Sequence, residues 1–369
     1  MNPCSRCSDI AAPACARSDA GGRVLVYAPA PPAFGKARSA ATGAGYHVET
    51  IAESVLLLNG PTGDWTSLLT GLESRLSRVE ADETRIAPIG GLPRDGHDVA
   101  LAALKSRTVP ALLSELRDTW LPRALATGTM TSYFQPIVDV QAGQIFAHEA
   151  LIRATDEAGT VVNGGAIVEA GRRLGALHVL DQIGRTSAIR CAHQLGLTSN
   201  LFINFFPTVV YDPVHCLRTT REAMRETGIQ PEQIVFEVVE SEHIVDRQHL
   251  LDILTYYRNE GFRVALDDLG SGYSSLNLLV ALRPDFVKLD MELAREVAAD
   301  PLRRALVEAL VRTAQENGIQ VIAEGVETVE SARVLTDVGI KLLQGYLFGR
   351  PSPAAGTLSA ETLAAVREG

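Results

Sequence analysis

From Thr131 onward the chain carries eight short apolar stretches, most of them separated by an amphipathic stretch of helix length, a pattern that points to a closed α/β barrel. The stretches are Tyr133–Val138, Ile145–Ile152, Leu201–Phe206, Ile234–Val239, Arg263–Leu269, Asp285–Leu289, Gln320–Ala323 and Leu342–Leu347. Leu302–Asn317 and Val329–Val338 are two of the helical spacers. Strands covered on both faces read as almost wholly apolar. These depart from that rule, and always near the C-terminal end: Gln135, Glu149, Asn204, Glu237, the pair Asp267–Asp268, Lys288, Glu324 and Gln344. In a (β/α)8 barrel the C-terminal strand ends converge on one mouth, where active sites sit. The expected fold is therefore α/β, a TIM-like barrel whose mouth gathers five carboxylates, an Asn, two Gln and one ammonium.

A buried charge is costly unless it is paired or bound to a metal. Any one of these acids, alone, reads equally well as a solvated loop residue or half of an ion pair. Their coincidence at every strand end favours a site. Carboxylate and amide oxygens are hard donors suited to Mg2+ or Mn2+, whereas the thiolates and imidazoles that favour zinc are missing from the set. Five carboxylates exceed what one divalent ion neutralises, so two ions are expected, with adjacent Asp267 and Asp268 as the natural bridge. Two such ions, about 3.5–4 Å apart, suit an in-line phosphoryl displacement by water. Lys288 can hold that water.

The motifs themselves resemble those of the EAL-domain cyclic di-GMP phosphodiesterases, over roughly Pro110 to Ser359. They are FQPIV from Phe134, EALIR from Glu149, FINFFP from Phe202, EVVES from Glu237, DDLGSGYSSL from Asp267, VKLD from Val287, AEGVE from Ala323 and QGYLFGRP from Gln344. The resemblance implies that Glu149, Asn204, Glu237 and Asp267 hold a first metal, and that Asp267, Asp268 and Glu324 hold a second. Glu324 would also act as general base, Lys288 would contact the catalytic water and Gln344 would lie near it. Gln135, Leu151 and Arg153 would contact substrate. The loop Gly270, Ser271, Gly272, Tyr273, Ser274 and Ser275 would couple dimerisation of the barrel to the metal site, anchored by Glu240. The family usually has Thr at Val239, Phe at Leu269 and Thr at Ser271; no ligand is lost, but the missing hydroxyl beside Glu240 bears on how the loop is anchored. The implied activity is metal-dependent hydrolysis of cyclic di-GMP to linear pGpG. The alternatives are a barrel that binds cyclic di-GMP without cutting it and a scaffold acting through the N-terminal part. The Gly-Gly-Asp-Glu-Phe signature of the companion cyclases is absent from the sequence.

Charge agrees with a small anionic substrate met through metals. The formal net charge is −10, which disfavours the basic stripes that grip a nucleic-acid polymer. Through Gly128 the counts balance at 13 basic and 13 acidic residues, so the acidic surplus lies wholly in the second part. No stretch approaches the roughly 18 apolar residues that span a bilayer, and the start MNPCSRCSDI lacks the apolar core of a signal peptide. Five cysteines do not suggest a disulfide framework, and a cytoplasmic location is expected.

The N-terminal part divides into a polar tail, residues 1–22, and a small α+β domain, residues 23–108, ahead of a barrel at 109–369. Strand-like stretches at Arg23–Pro29, His47–Ile51, Ser54–Asn59 and Thr84–Ile89, with helices at Ala33–Gly45 and around Leu68–Leu76, give the order β-α-β-β-α-β of a ferredoxin-like fold. A regulatory role is expected for it. In the tail, Cys4, Cys7 and Cys15 offer ligands to a zinc or iron site, with His47 or Asp9 as a fourth donor; a flexible reduced tail is the preferred reading.

Overall fold

The computed structural model describes residues 23–60, 65–89, 102–118, 120–156, 158–239, 246–270, 275–295 and 297–368. Cys4, Cys7, Cys15, Glu240, Ser271, Gly272, Tyr273 and Ser274 lie outside the described residues. The chain divides into two compact units, Met1–Gly128 with Val168–Ala176, and Thr129–Ile167 with Leu177–Gly369. Among the described residues no helix is long and apolar enough to cross a membrane.

The first unit follows the order β1 (Arg23–Tyr27), α1 (Pro31–Gly43), β2 (His47–Ala52), β3 (Val55–Asn59), α2 (Thr66–Glu73), α3 (Arg78–Glu83), β4 (Arg85–Pro88), β5 (Arg107–Thr108), α4 (Val109–Arg117) and α5 (Trp120–Thr127). Its sheet runs β2-β3-β1-β4-β5, with every neighbouring pair antiparallel. The first four strands reproduce the ferredoxin-like arrangement, and β5 extends one edge. Alternation explains the packing: Val24, Val26, Leu56, Leu58 and Ile86 share one sheet face and meet the small buried side chains Ala33, Ala37, Ala40 and Ala41 of α1 and Leu68, Leu69 and Leu72 of α2. Val109, Leu112 and Leu113 of α4 join the same core, so the packing of this unit continues past the start of that helix. Ser77 begins α3 with a capping box: its hydroxyl accepts from Glu80 N and the Glu80 carboxylate accepts from Ser77 N.

In the second unit eight strands close a ring: β6 (Met130–Asp139), β14 (Leu342–Gln344), β13 (Gln320–Ala323), β12 (Phe286–Leu289), β11 (Arg263–Leu269), β10 (Ile234–Val239), β9 (Asn200–Phe205) and β7 (Gln144–Thr155), which pairs back to β6. A short β8 (Val161–Val162) pairs with the end of β7. The crossover helices Leu177–Gln194, Arg218–Thr227, Arg247–Asn259, Ser275–Leu282, Pro301–Glu316 and Val329–Asp337 join successive parallel strands from β7 to β14. Side-chain caps start several of them, including Asp246 on His249 N, Asp300 on Leu302 N and Thr328 on Ser331 N.

One feature of the expected barrel is corrected. β6 runs antiparallel to both neighbours, β7 and β14. The segment between β6 and β7 is far too short for a helical crossover, which needs a dozen residues or so. It forms a hairpin instead, with Asp139 Oδ1 accepting from Gln141 N at 2.9 Å and Ala142 N at 2.8 Å and Gly143 at φ 73°. Gln135 therefore lies within a strand that runs opposite to the other seven.

Candidate active site

The site is a consequence of strand periodicity. Ile137, Ala147, Phe202, Val235, Ala265, Phe286, Ile322 and Leu342, one from each ring strand, form a buried apolar cluster of their own inside the barrel. Side chains two apart on a strand share a face. Two residues onward from this layer stand Glu149, Asn204, Glu237, Asp267, Lys288, Glu324 and Gln344. On the reversed β6 the same step is taken backward, from Ile137 to Gln135. Cross-strand register agrees: Gln135 lies opposite Glu149, and Asn204 beside Glu237. Eight strands thus contribute one apolar layer and, directly above it, one polar layer. The intervening residues, such as Phe236, Leu266 and Val287, pack outward in the larger core.

Asp268 breaks the alternation. Adjacent strand residues point to opposite faces, so two consecutive aspartates reach one mouth only where the strand is distorted. The distortion is present: the β11–β12 register shifts between Leu266 and Leu269, and Asp268 adopts φ 58°. Carboxylate oxygens of Asp267, Asp268 and Glu324 come within 4.8 Å of one another.

Lys288 is the centre of charge. Its side chain is 1% exposed, with Nζ 2.6 Å from Glu324 Oε1, 3.0 Å from Glu237 Oε1, and 3.3 Å from both Glu149 Oε2 and Asp267 Oδ1. Burial works against its ammonium, but Asp267, Glu149, Glu237 and Glu324 together hold its pKa well above the usual lysine value. Burial also raises Glu149, yet there Lys288 and the donors Gln344 and Asn204 prevail and its pKa is lowered. Gln344 Nε2 donates to Glu149 Oε2 at 2.6 Å, and Asn204 Nδ2 to Glu149 Oε1 at 3.2 Å. The other acids lack that support. Burial drives Glu237 well above the carboxylate range and raises Asp267 against the pull of Lys288. Burial and then the Asp267 charge push Asp268 up to about 6, and burial pushes Glu324 up to about 8.

Three buried acceptor atoms receive no hydrogen bond: both oxygens of Glu237 and Oε1 of Gln344. The Glu237 approach to Lys288 is an ion pair without hydrogen-bond alignment. Five carboxylates around one ammonium, with acceptors left over, form an oxygen-rich donor set that fits hard divalent cations.

Along β7, Leu151 and Arg153 continue the face of Glu149, and both are half-buried. Arg153 packs over the Tyr133 ring, with Cζ 5.4 Å from its centroid, and donates Nη1–H to Ile152 O at 2.8 Å. Sequence reasoning did not single out Tyr133; its place two residues before Gln135 was the available signal. Gln135 Nε2 donates to Gly349 O at 3.1 Å. Gly270 ends β11's excursion at φ 111°. His148, on the outer face, meets Ser199 Oγ through Nδ1 at 2.8 Å and stacks edge-on against Phe134, away from the polar layer.

Gly345 keeps Gln344 in place. A Cβ there would stand 2.1 Å from Val326 O and 2.3 Å from Val326 N, backbone atoms engaged with Leu347 N and Gln344 O. Gly345→Ala must part these segments, and a loss of about 1–3 kcal/mol in folding stability is expected. A urea unfolding midpoint equal to that of the parent chain would contradict this account.

The comparisons with known proteins converge on one family. A family model described as EAL domain matches residues 118–351. The cyclic di-GMP phosphodiesterase PdeR of Escherichia coli is 30% identical over 247 residues, covering 64% of this chain and 36% of PdeR. A standalone versatile EAL protein from Vibrio cholerae O395, solved in its c-di-GMP-bound form, matches with a TM-score of 0.59 and 37% identity over 63% of this chain and 97% of that one. Klebsiella pneumoniae BlrP1, solved as a manganese and cy-diGMP complex, matches with a TM-score of 0.55 and 26% identity over 89% of this chain and 96% of BlrP1. The chain spans about a third to a half of the length of the first curated relatives it matches, at 38%, 53% and 34% of each.

Proposed function

The chain belongs to the EAL domain family, and on that footing we propose that its barrel hydrolyses one phosphodiester of cyclic di-GMP to linear pGpG. The observation that carries this reading is the polar layer, in which eight strands converge and leave the Glu237 carboxylate and Gln344 Oε1 buried without a hydrogen bond. The c-di-GMP complexes of the Vibrio and Klebsiella relatives support the substrate, and the manganese of the latter supports a divalent cofactor.

Glu149, Asn204, Glu237 and Asp267 would hold one Mg2+ or Mn2+, and Asp267, Asp268 and Glu324 a second. Bound there, the cations supply positive charge against the phosphate and lower the pKa of a water. The chain's own groups do the rest. Arg153 presents paired N–H donors to a phosphate oxygen, with Leu151 and Gln135 beside it as substrate contacts. Lys288 holds the attacking water by hydrogen bond, and Gln344 offers its unpaired Oε1 to the same water. Glu324 takes the water's proton. The new P–O bond forms as the bond from phosphorus to the ribose 3′-oxygen breaks, and that oxygen takes a proton from solvent to leave as a hydroxyl.

In the same reading the enzyme is a cytoplasmic homodimer associating through the barrel. Exposed Leu276 and Val280, four apart on helix Ser275–Leu282, offer an apolar face for that association. Glu240 and the loop from Gly270 to Ser275 would connect it to the metal site, and the first unit would modulate turnover.

The test is chromatography of cyclic di-GMP incubated with the full chain and Mg2+, Mn2+ or a chelator. Conversion to pGpG is expected with a cation and none with the chelator. Tight binding without product would make the chain a receptor. Absence of both, persisting after removal of residues 1–108, would overturn the reading.

A further inference from the structure

The helical side of the first unit contains a half-open cavity of about 490 Å3, all of whose lining residues belong to that unit. Leu76, Ala81, Val109 and Leu113 make an apolar wall, while Arg78, Arg117 and Arg173 face Glu73 and Asp118 among its charged groups. Both acids are already engaged. Arg117 Nη1 and Nη2 donate to Glu73 Oε1 and Oε2 at 2.7 and 2.6 Å. Arg173 Nε and Nη2 donate to Asp118 Oδ2 at 3.1 and 2.8 Å, and its Nη1 reaches Glu169 Oε1 at 3.0 Å. Arg78 remains: among the described residues no carboxylate pairs with it. It also opens α3, the end of a helix where a cation is electrostatically disfavoured, so helix formation does not account for it. Arg78 is thus the one guanidinium of the three in the lining that no described carboxylate engages.

A cavity of this size with an apolar wall and one cation not engaged by a carboxylate matches a small amphipathic ligand. A guanidinium stays charged at any physiological pH and takes carboxylate or phosphate oxygens through a planar fork. We propose that the cavity is an effector site for a small organic anion, with an apolar body against Leu76, Ala81, Val109 and Leu113 and a carboxylate or phosphate head on Arg78. The site is independent of the chemistry in the barrel and can be tested without it.

The probes are octanoate and phenyl phosphate, with octanol and benzyl alcohol as uncharged counterparts, titrated calorimetrically into the full chain. At least one anion is expected to bind saturably at one site per chain, about tenfold or more tighter than its uncharged counterpart. Arg78→Ala and the more conservative Arg78→Gln should both erase that difference; Arg78 is exposed, so near-ultraviolet circular dichroism should remain that of the parent. Ala81→Phe, which fills the apolar end, should weaken both anions alike. Absence of saturable binding below about 10 mM, or binding that both Arg78 variants leave unchanged, would overturn the proposal.

Discussion

Replacing Lys288 with Met is expected to lower cyclic di-GMP turnover by about a thousandfold in saturating Mg2+ and, separately, to destabilise the chelator-treated chain by about 3–5 kcal/mol. The two effects have different origins. Without a cation, the Lys288 ammonium is the positive charge that meets Glu149, Glu237, Asp267 and Glu324. Removing it leaves those acids buried and uncompensated, the circumstance in which breaking an ion pair costs most. A divalent cation should restore much of the lost melting temperature, because it meets the same carboxylates. Turnover should stay low, because the hydrogen-bond donor to the water is gone. A variant that melts like its parent in Mg2+ and retains turnover within about tenfold would sink the role given to Lys288.

The second large effect is a pH dependence that reverses on adding metal. Glu324, raised from 4.5 to about 8, and Asp268, raised from 3.8 to about 6, bind protons more tightly folded than unfolded. Between the unfolded and folded values the native state therefore carries the extra protons, and stability falls as pH rises. The contribution is complete near pH 4 and is lost through about pH 8. Glu149 is shifted the other way and acts only below its ordinary value of 4.5; Lys288 titrates above this window. In chelator, the melting temperature should drop by about 5 °C or more between pH 5 and pH 8. Saturating Mg2+ should flatten or invert that slope, since cations bind the ionised carboxylates and compete with protons. Parallel curves with and without Mg2+ would mean that these acids do not hold the ion.

Much of the candidate site was legible because strand periodicity is local. A polar residue recurring at the end of each apolar stretch pointed to Glu149, Asn204, Glu237, Asp267, Lys288, Glu324 and Gln344 before any coordinate. The structure adds that each stands two residues from the apolar layer beneath it. Tyr133 escaped notice because an aromatic in a strand ordinarily signals packing, and only its pairing with Arg153 places it at the mouth. In the first unit, sheet order followed from the order of elements, whereas the side on which α4 packs depended on contacts with α2, distant along the chain.

The sequence by itself determined which residues share a strand face, because alternation is a property of the extended backbone and needs no partner. It also determined the chemistry available to that face: oxygen donors, one ammonium and one guanidinium. Tertiary structure alone decided how those faces meet. The hairpin at Asp139 reverses β6 and brings Gln135 to the polar layer from the opposite direction. The shifted register at Leu266–Leu269 turns Asp268 toward the mouth that alternation alone would deny it. Closure of the ring places Lys288 against acids from four other strands or strand ends. Those outcomes depend on pairings between residues far apart in the chain, and burial then sets the charge state of each group.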